Sequence, residues 1–323
     1  MTNLNIKADV EQLPSKKYCA TFHFNASFVK SKSADRQEIF NSDVSTPTEE
    51  ALINTTNDIL NDLIRSAFEE VTLANNLTPA AAPTIELISK DVQIEYVFTT
   101  TFDVVPSIEL NGLSSVNVEI PEVIVTTEDL ESTIDAIFKQ HPNRETALAA
   151  LGIKESEFEK FRSEVLLNLQ REAITYESEI KKNAVLTRVC DIFNIIIPDC
   201  MISPELERLQ TIQDESGVVP LPLPKQTQVA TRNVQRRIVI NAVIQKSHLS
   251  LHPNTVRQRV EQLSTAYENP EEAVQWYYSN RVELAGVEAK IVEELVIEWL
   301  INACNQSTYT MSFTQASAAL TQH

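Results

Sequence analysis

Apolar positions in the first third of the chain alternate with polar ones. From Tyr18 to Phe28, the residues Ala20, Phe22, Phe24, Ala26 and Phe28 fall on one side, the period of a strand with one buried face. The same period returns at Ile94, Tyr96, Phe98, Thr100, Phe102 and Val104, and stops at Pro106. Asn111-Gly112 then supplies a turn, and Val116, Val118 and Ile120 predict a third strand ahead of Pro121. Between the first two strands the spacing changes. Residues 49–76 carry Ile59, Leu63, Ala67, Val71 and Ala74 on one stripe, with Leu60, Ile64 and Phe68 beside it, which predicts an amphipathic helix. The polar stretch before that helix shows no clear period, and Pro79 and Pro83 bracket a small-residue link after it. This pattern predicts an α+β domain over residues 1–121, an antiparallel sheet covered by at least one helix.

Past Pro121 the strand period fades and helical spacing takes over. Thr126 or Thr127 caps a helix running to Gln140, and His141-Pro142-Asn143 breaks it. From about 155 to 193, Phe158, Phe161, Val165, Leu169, Ala173, Tyr176, Ile180 and Ala184 repeat at three and four residues. Pro220, Pro222 and Pro224 form a stiff connector, and a helix over 225–247 follows. Pro253 and Pro270 open two more helices, the second preceded by Asn269 as a cap. The last helix carries two apolar stripes and is expected to lie between neighbours. One stripe is Val274, Tyr278, Val282, Ala285, Ala289, Val292, Val296, Trp299 and Ala303; the other is Leu284, Val287, Ile291 and Leu295. Residues 122–323 therefore read as an all-α body, with helical arms at about 202–250 and 253–282.

Composition removes several function classes. The chain has 323 residues, four glycines and a net charge of −18. So few glycines leave no Gly-rich phosphate loop and no nucleotide cofactor site. So acidic a surface repels phosphate backbones, which argues against nucleic-acid partners. No apolar run is long enough to insert in a membrane, and no secretory leader is visible; a cytoplasmic location is expected. Cys19, Cys190, Cys200 and Cys304 form no CxxC pair and read as reduced, mostly buried thiols. His248 and His252 lack a third ligand, so no metal site is expected, and no nucleophile sits in a motif with a base. The chain does not read as an enzyme.

Several segments, in order, resemble the trigger factor family of ribosome-associated chaperones. They are Thr78-Pro-Ala-Ala-Ala-Pro-Thr84; Phe102-Asp-Val-Val-Pro-Ser-Ile-Glu-Leu-Asn-Gly-Leu113; Val118-Glu-Ile-Pro121; and Val125-Thr-Thr-Glu-Asp-Leu130. The region 158–188, then Leu223-Pro-Lys225, Arg236-Arg-Ile-Val-Ile240, the run 266–280 and Met311-Ser-Phe-Thr-Gln315 continue the likeness. Two features depart from the family. Its glycine-containing, basic ribosome-docking loop has no counterpart around Val29 to Asp43, where Lys30, Lys32 and Arg36 are balanced by Asp35, Glu38 and Asp43. Its peptidyl-prolyl isomerase domain follows the helix at 127–140, where this chain has only His141-Pro-Asn-Arg144 before the helical body.

The resemblance implies a holdase that uses no ATP and serves protein folding or transport. It would bind apolar segments of unfolded or nascent polypeptides in a cradle between the first domain and the arms. The departures argue against isomerase activity and against ribosome docking, and favour a specialised client. The expected client-binding residues are Ile238, Val239, Val243 and Ile244 on the first arm; Val274, Trp276, Tyr277 and Tyr278 on the second; and Phe98 and Phe102 on the sheet. The alternative is a homodimeric scaffold whose apolar surfaces are filled by its own partner.

Overall fold

The computed structural model describes the chain except residues 1–6, 14–16, 41–48, 92–93, 218, 248 and 322–323, and except the side chains of 7, 34–40, 49–53, 55 and 90–91. In chain order the elements are β1 (Lys7–Gln12), β2 (Tyr18–Asn25), α1 (Ala26–Phe40), α2 (Glu49–Ala74), β3 (Thr84–Asp91) and β4 (Glu95–Phe102). Next come β5 (Asn117–Ile124), α3 (Thr127–Phe138), α4 (Arg144–Ala150), α5 (Phe158–Phe193), α6 (Asp199–Ser216) and α7 (Leu223–Ser247). The last are α8 (Pro253–Ser264), α9 (Pro270–Ser279), α10 (Arg281–Ala303), β6 (Asn305–Ser312) and α11 (Phe313–Thr321). Contacts divide the chain into one unit of Met1–Pro106 with Ile196–Val234, and another of Ser107–Ile195 with Gln235–His323. The expected boundary at 121 falls inside β5.

The first unit is built on an antiparallel sheet of order β1-β2-β4-β3. Phe22 lies opposite Phe98 and Ala20 opposite Thr100, so the alternating residues of both strands share one face. That face meets the α2 stripe of Ile59, Leu60, Leu63, Ile64 and Ala67 in one core, with Phe68 and Val71 at its margin. Each large side chain enclosed there contributes roughly 1.5–3 kcal/mol, which explains why the strand and helix periods were legible. The strand at Tyr18 ends earlier than expected. The Asn25 carboxamide oxygen accepts the Ser27 N–H at 2.9 Å, and Ala26, Phe28 and Val29 belong to α1. In the same unit α6 and α7 are tied by Glu205, whose buried carboxylate accepts from Arg208 at 2.7 and 3.1 Å and from Asn233 at 2.9 Å.

In the second unit the strand expected over Val116–Ile120 is present, but not in the first sheet. β5 runs on through Pro121 and pairs in parallel with β6, Ile120 facing Thr308. A two-stranded parallel pair draws its stability from what lies against it. Here α5 does so: Glu177 accepts the Val123 N–H at 3.0 Å and also pairs with Lys181. Strand character therefore does not end at Pro121; the polar β6 segment carries no alternation that would show it. α3 begins at Thr126 with a capping box to Asp129, and packs Leu130 and Ile134 against Val165 and Leu169 of α5. Asp129 also accepts from Thr314 of α11 at 2.7 Å. Burial alone would raise its pKa, but the hydrogen bonds from Thr126 and Thr314 outweigh it and hold the carboxyl below the ordinary range.

None of the four cysteines is in a disulfide; Cys19, Cys190 and Cys304 are buried and Cys200 half-buried. Among the described residues no helix is long and apolar enough to cross a membrane.

Candidate functional site

The second arm is assembled by α8, α9 and the start of α10. Val256, Val260, Val287 and Ile291 form its interior, with Leu251, Val274, Tyr277, Leu284 and Leu295 packed around them. Arg259 fixes α8 to α10 by two hydrogen bonds to Glu294, at 2.9 and 2.6 Å. Of the two apolar stripes on the last helix, Leu284, Val287, Ile291 and Leu295 face this interior together with Val274 of the other stripe, whose Val282, Ala285 and Ala289 are exposed and whose Val296 is buried. The helix is also interrupted. Asn280 leaves the helical conformation, and its side chain accepts from Val282 N–H at 3.2 Å and Glu283 N–H at 3.5 Å, starting α10 afresh. Asn269, read as the cap of α9, makes no side-chain cap; Pro270 at the first helical position begins that helix.

This geometry separates the three aromatics of α9. Successive helical positions turn by about 100°, so they cannot share one direction. Tyr277 packs on the interior, and the neighbouring Tyr267 hydroxyl first, and burial second, hold its phenol above the ordinary range. Trp276 and Tyr278 remain 48% and 46% exposed. Leu263 and Tyr267 at the end of α8, and Val282 at 79% exposure, add apolar surface along the same arm. Glu268, Glu271, Glu272 and Glu283 are exposed along these segments, against Arg281. The tip is thus apolar and aromatic with an acidic surround.

In the first unit a second apolar surface lies where α6 passes to α7. Val219, Leu221 and Leu223 are exposed between Pro220, Pro222 and Pro224. Gln226 holds this connector by donating to the Leu221 carbonyl at 2.6 Å while accepting from Gln210 at 3.3 Å. Three prolines fix the backbone, so these side chains are displayed at little entropic cost.

Several expected binding residues are placed elsewhere. Phe102 is buried and meets Phe68 edge to face at 4.8 Å; Phe98 is half-buried against the same core and lies 6.1 Å from Phe24. Ile238, Val239 and Val243 are enclosed, with Val239 and Val243 at 0% exposure, and Ile244 is half-buried. Val274 and Tyr277 belong to the arm's interior. Phe102, Ile238, Val239 and Val243 build the scaffold, and Phe98, Ile244, Val274 and Tyr277 offer only part of their surface, because helical and strand periodicity mark burial first. Of the expected set, Trp276 and Tyr278 are the ones in the open. Leu263, Tyr267, Val219, Leu221 and Leu223 were not among the expected binding residues, and Val282 was assigned to an apolar stripe expected to lie between neighbours but is exposed.

Among the described residues no group of three or more histidine, cysteine or carboxylate side chains gathers as a metal site. The fold defines a class of architecture: a sheet-and-helix unit, and a mainly helical unit with a two-stranded parallel pair, each displaying exposed apolar side chains. Comparison with known proteins gives the family. The model of bacterial trigger factor protein matches residues 52–137, and that of the trigger factor C-terminus matches 221–302, together just over half of the chain. The chain belongs to the trigger factor family.

Trigger factor of Paraburkholderia xenovorans (strain LB400) is 30% identical over 182 residues, covering 54% of this chain and 41% of that protein. Trigger factor of Burkholderia lata is 31% identical over the same length and coverage. The matched part of the chain thus spans about two fifths of these relatives. A solved structure of the trigger factor chaperone, described for promiscuous substrate recognition in folding and assembly, aligns over 90% of this chain and 98% of its own. Its TM-score is 0.53 at 11% identity, a likeness of fold.

Proposed function

We propose that the protein is a chaperone of the holdase kind, binding apolar segments of unfolded or newly made polypeptides without ATP and releasing them by simple dissociation. The observation that carries this reading is the exposure of Trp276 and Tyr278 beside Val282 on an arm whose interior is otherwise well packed. Exposed aromatic side chains grouped with other apolar ones mark interaction surfaces more often than scattered single ones do. Each covered side chain contributes on the order of 1 kcal/mol, so affinity builds from several weak contacts and release needs no nucleotide. The exposed glutamates and the net charge of −18 favour clients with basic segments and keep complexes soluble. The relatives named as trigger factor support the chaperone reading.

Two family functions fall outside the proposal. The connection from Phe138 to Phe158 holds α4 and a short turn, with no room for an inserted isomerase domain. Lys30 and Lys32 lie on α1, while 41–48 and the side chains of Asp35, Arg36 and Glu38 lie outside the described residues. The absence of glycine from Val29 to Asp43, and its balanced charge, argue against docking to ribosomes in the family's manner. A cytoplasmic site of action completes the reading. Suppression of aggregation of an unfolded model protein is the test: no protection at several-fold excess would overturn the holdase. A stable dimer that binds no apolar dye would instead favour the homodimeric scaffold. Proline isomerisation of a short peptide is expected at background, and ribosome co-sedimentation at low salt is expected to be negative.

A further inference from the structure

The two edges of the first unit's sheet are unlike. On β1, Ala8 and Val10 face the core and are half-buried against it. On β3, Ile85 lies opposite Thr100 and Leu87 opposite Phe98, and both of those β4 residues are on the core face. Ile85 and Leu87 therefore point to the same side as the core, yet they are 47% and 50% exposed. The apolar face of the sheet continues one strand beyond its cover. No charged side chain stands on that face of β3 between Thr84 and Leu87, and Glu86 projects from the other. Among the described residues β3 has no strand on its outer side, and the ladder is regular from Thr84 to Leu87, where a bulge at Ile88 interrupts it. Natural edges are usually guarded by an inward charge, a proline or a covering element; Thr84–Leu87 carries no inward charge and no proline, and among the described residues no strand pairs with its outer side.

We propose that the outer edge of β3 takes an extended segment of a non-native polypeptide as a fifth strand. This rests on the holdase reading and names a second mode of engagement for it. Main-chain hydrogen bonds would supply affinity with little regard to sequence, as a chaperone of varied clients requires, and inward apolar side chains of the added strand would cover Ile85 and Leu87. A second copy of this chain is the weaker occupant. Two chains of net charge −18 repel one another, whereas an unfolded client with basic segments is attracted.

Amide hydrogen exchange of the full chain tests this, with and without a reduced, carboxymethylated and permanently unfolded model protein. Amides in 84–89 are expected to slow at least about tenfold when the unfolded protein is bound. The variants Ile85→Lys and Leu87→Lys should keep their melting temperature, lose that protection, and bind the unfolded protein several-fold more weakly. If aggregation is suppressed while exchange at 84–89 is unchanged, the strand proposal falls and the holdase reading stands. If neither suppression nor protection is seen, the holdase reading itself has failed. Protection that rises with the protein's own concentration, without the unfolded protein, would overturn the proposal in favour of a second copy.

Discussion

Trp276 and Tyr277 are neighbours in sequence, and their rings meet edge to face with centroids 5.1 Å apart, yet they do opposite work. Tyr277 packs against the interior of the second arm, half-buried, and Trp276 leans on it from outside. The half-buried ring supports the more exposed one, so surface presentation here depends on core packing.

Trp276→Ala and Tyr278→Ala are therefore expected to change folding stability by no more than about 0.5 kcal/mol each, as exposed positions do, while weakening suppression of aggregation. The double variant should lose more than either single one. Tyr277→Ala should cost about 2–4 kcal/mol from its lost packing. Chemical denaturation beside a light-scattering assay separates the two effects.

Val239 and Val243 sit at 0% exposure, so their truncation is a stability experiment. Val239→Ala should cost about 2 kcal/mol, two methylene equivalents plus a residual cavity, and leave client affinity per folded molecule unchanged. A drop in affinity with unchanged stability would return these residues to the binding surface.

The pH response should reveal Asp129. Its folded carboxyl is held below the ordinary range by Thr126 and Thr314, so it contributes stability above its unfolded pKa, about 3.9, and loses that contribution as pH falls through the lower folded value. Wild type should lose stability between pH 5 and acid more steeply than Asp129→Asn, which starts lower at neutral pH by about 1–2 kcal/mol from its weakened cap (roughly the worth of a capping residue). Parallel denaturation series at several pH values would show the two curves converging.

Removing Arg208 should leave Glu205 buried with a poorer set of donors. Arg208→Ala is expected to cost about 1–3 kcal/mol, and Glu205→Gln less, because the amide keeps an acceptor for Asn233 without a buried charge. Thermal melts of the two variants give the order directly.

Much of the fold was legible. The stripe Ile59–Leu63–Ala67 and the alternation Ala20–Phe22–Phe24 and Tyr96–Phe98 each match a single period, and each forms the core it predicted. The break at Asn280 was not legible, since apolar spacing runs through it and only the side chain's turn onto Val282 and Glu283 ends the helix. β3 and β6 were missed for a related reason: exposed strands have no buried face to impose alternation. β1 and α1 lay in segments too polar to read.

For the candidate site the same division holds. Sequence alone determined the family resemblance, the acidic charge, the missing insertion after α3 and the aromatic run in α9, because each is a property of residue identity and order. Only the tertiary structure decided which apolar side chains are surface. Val239, Val243 and Phe102 went into cores while Trp276, Tyr278, Ile85 and Leu87 stayed open. Hydrophobic residues in a chain record how much surface wants covering; whether a neighbour covers it is settled by packing between segments far apart in sequence.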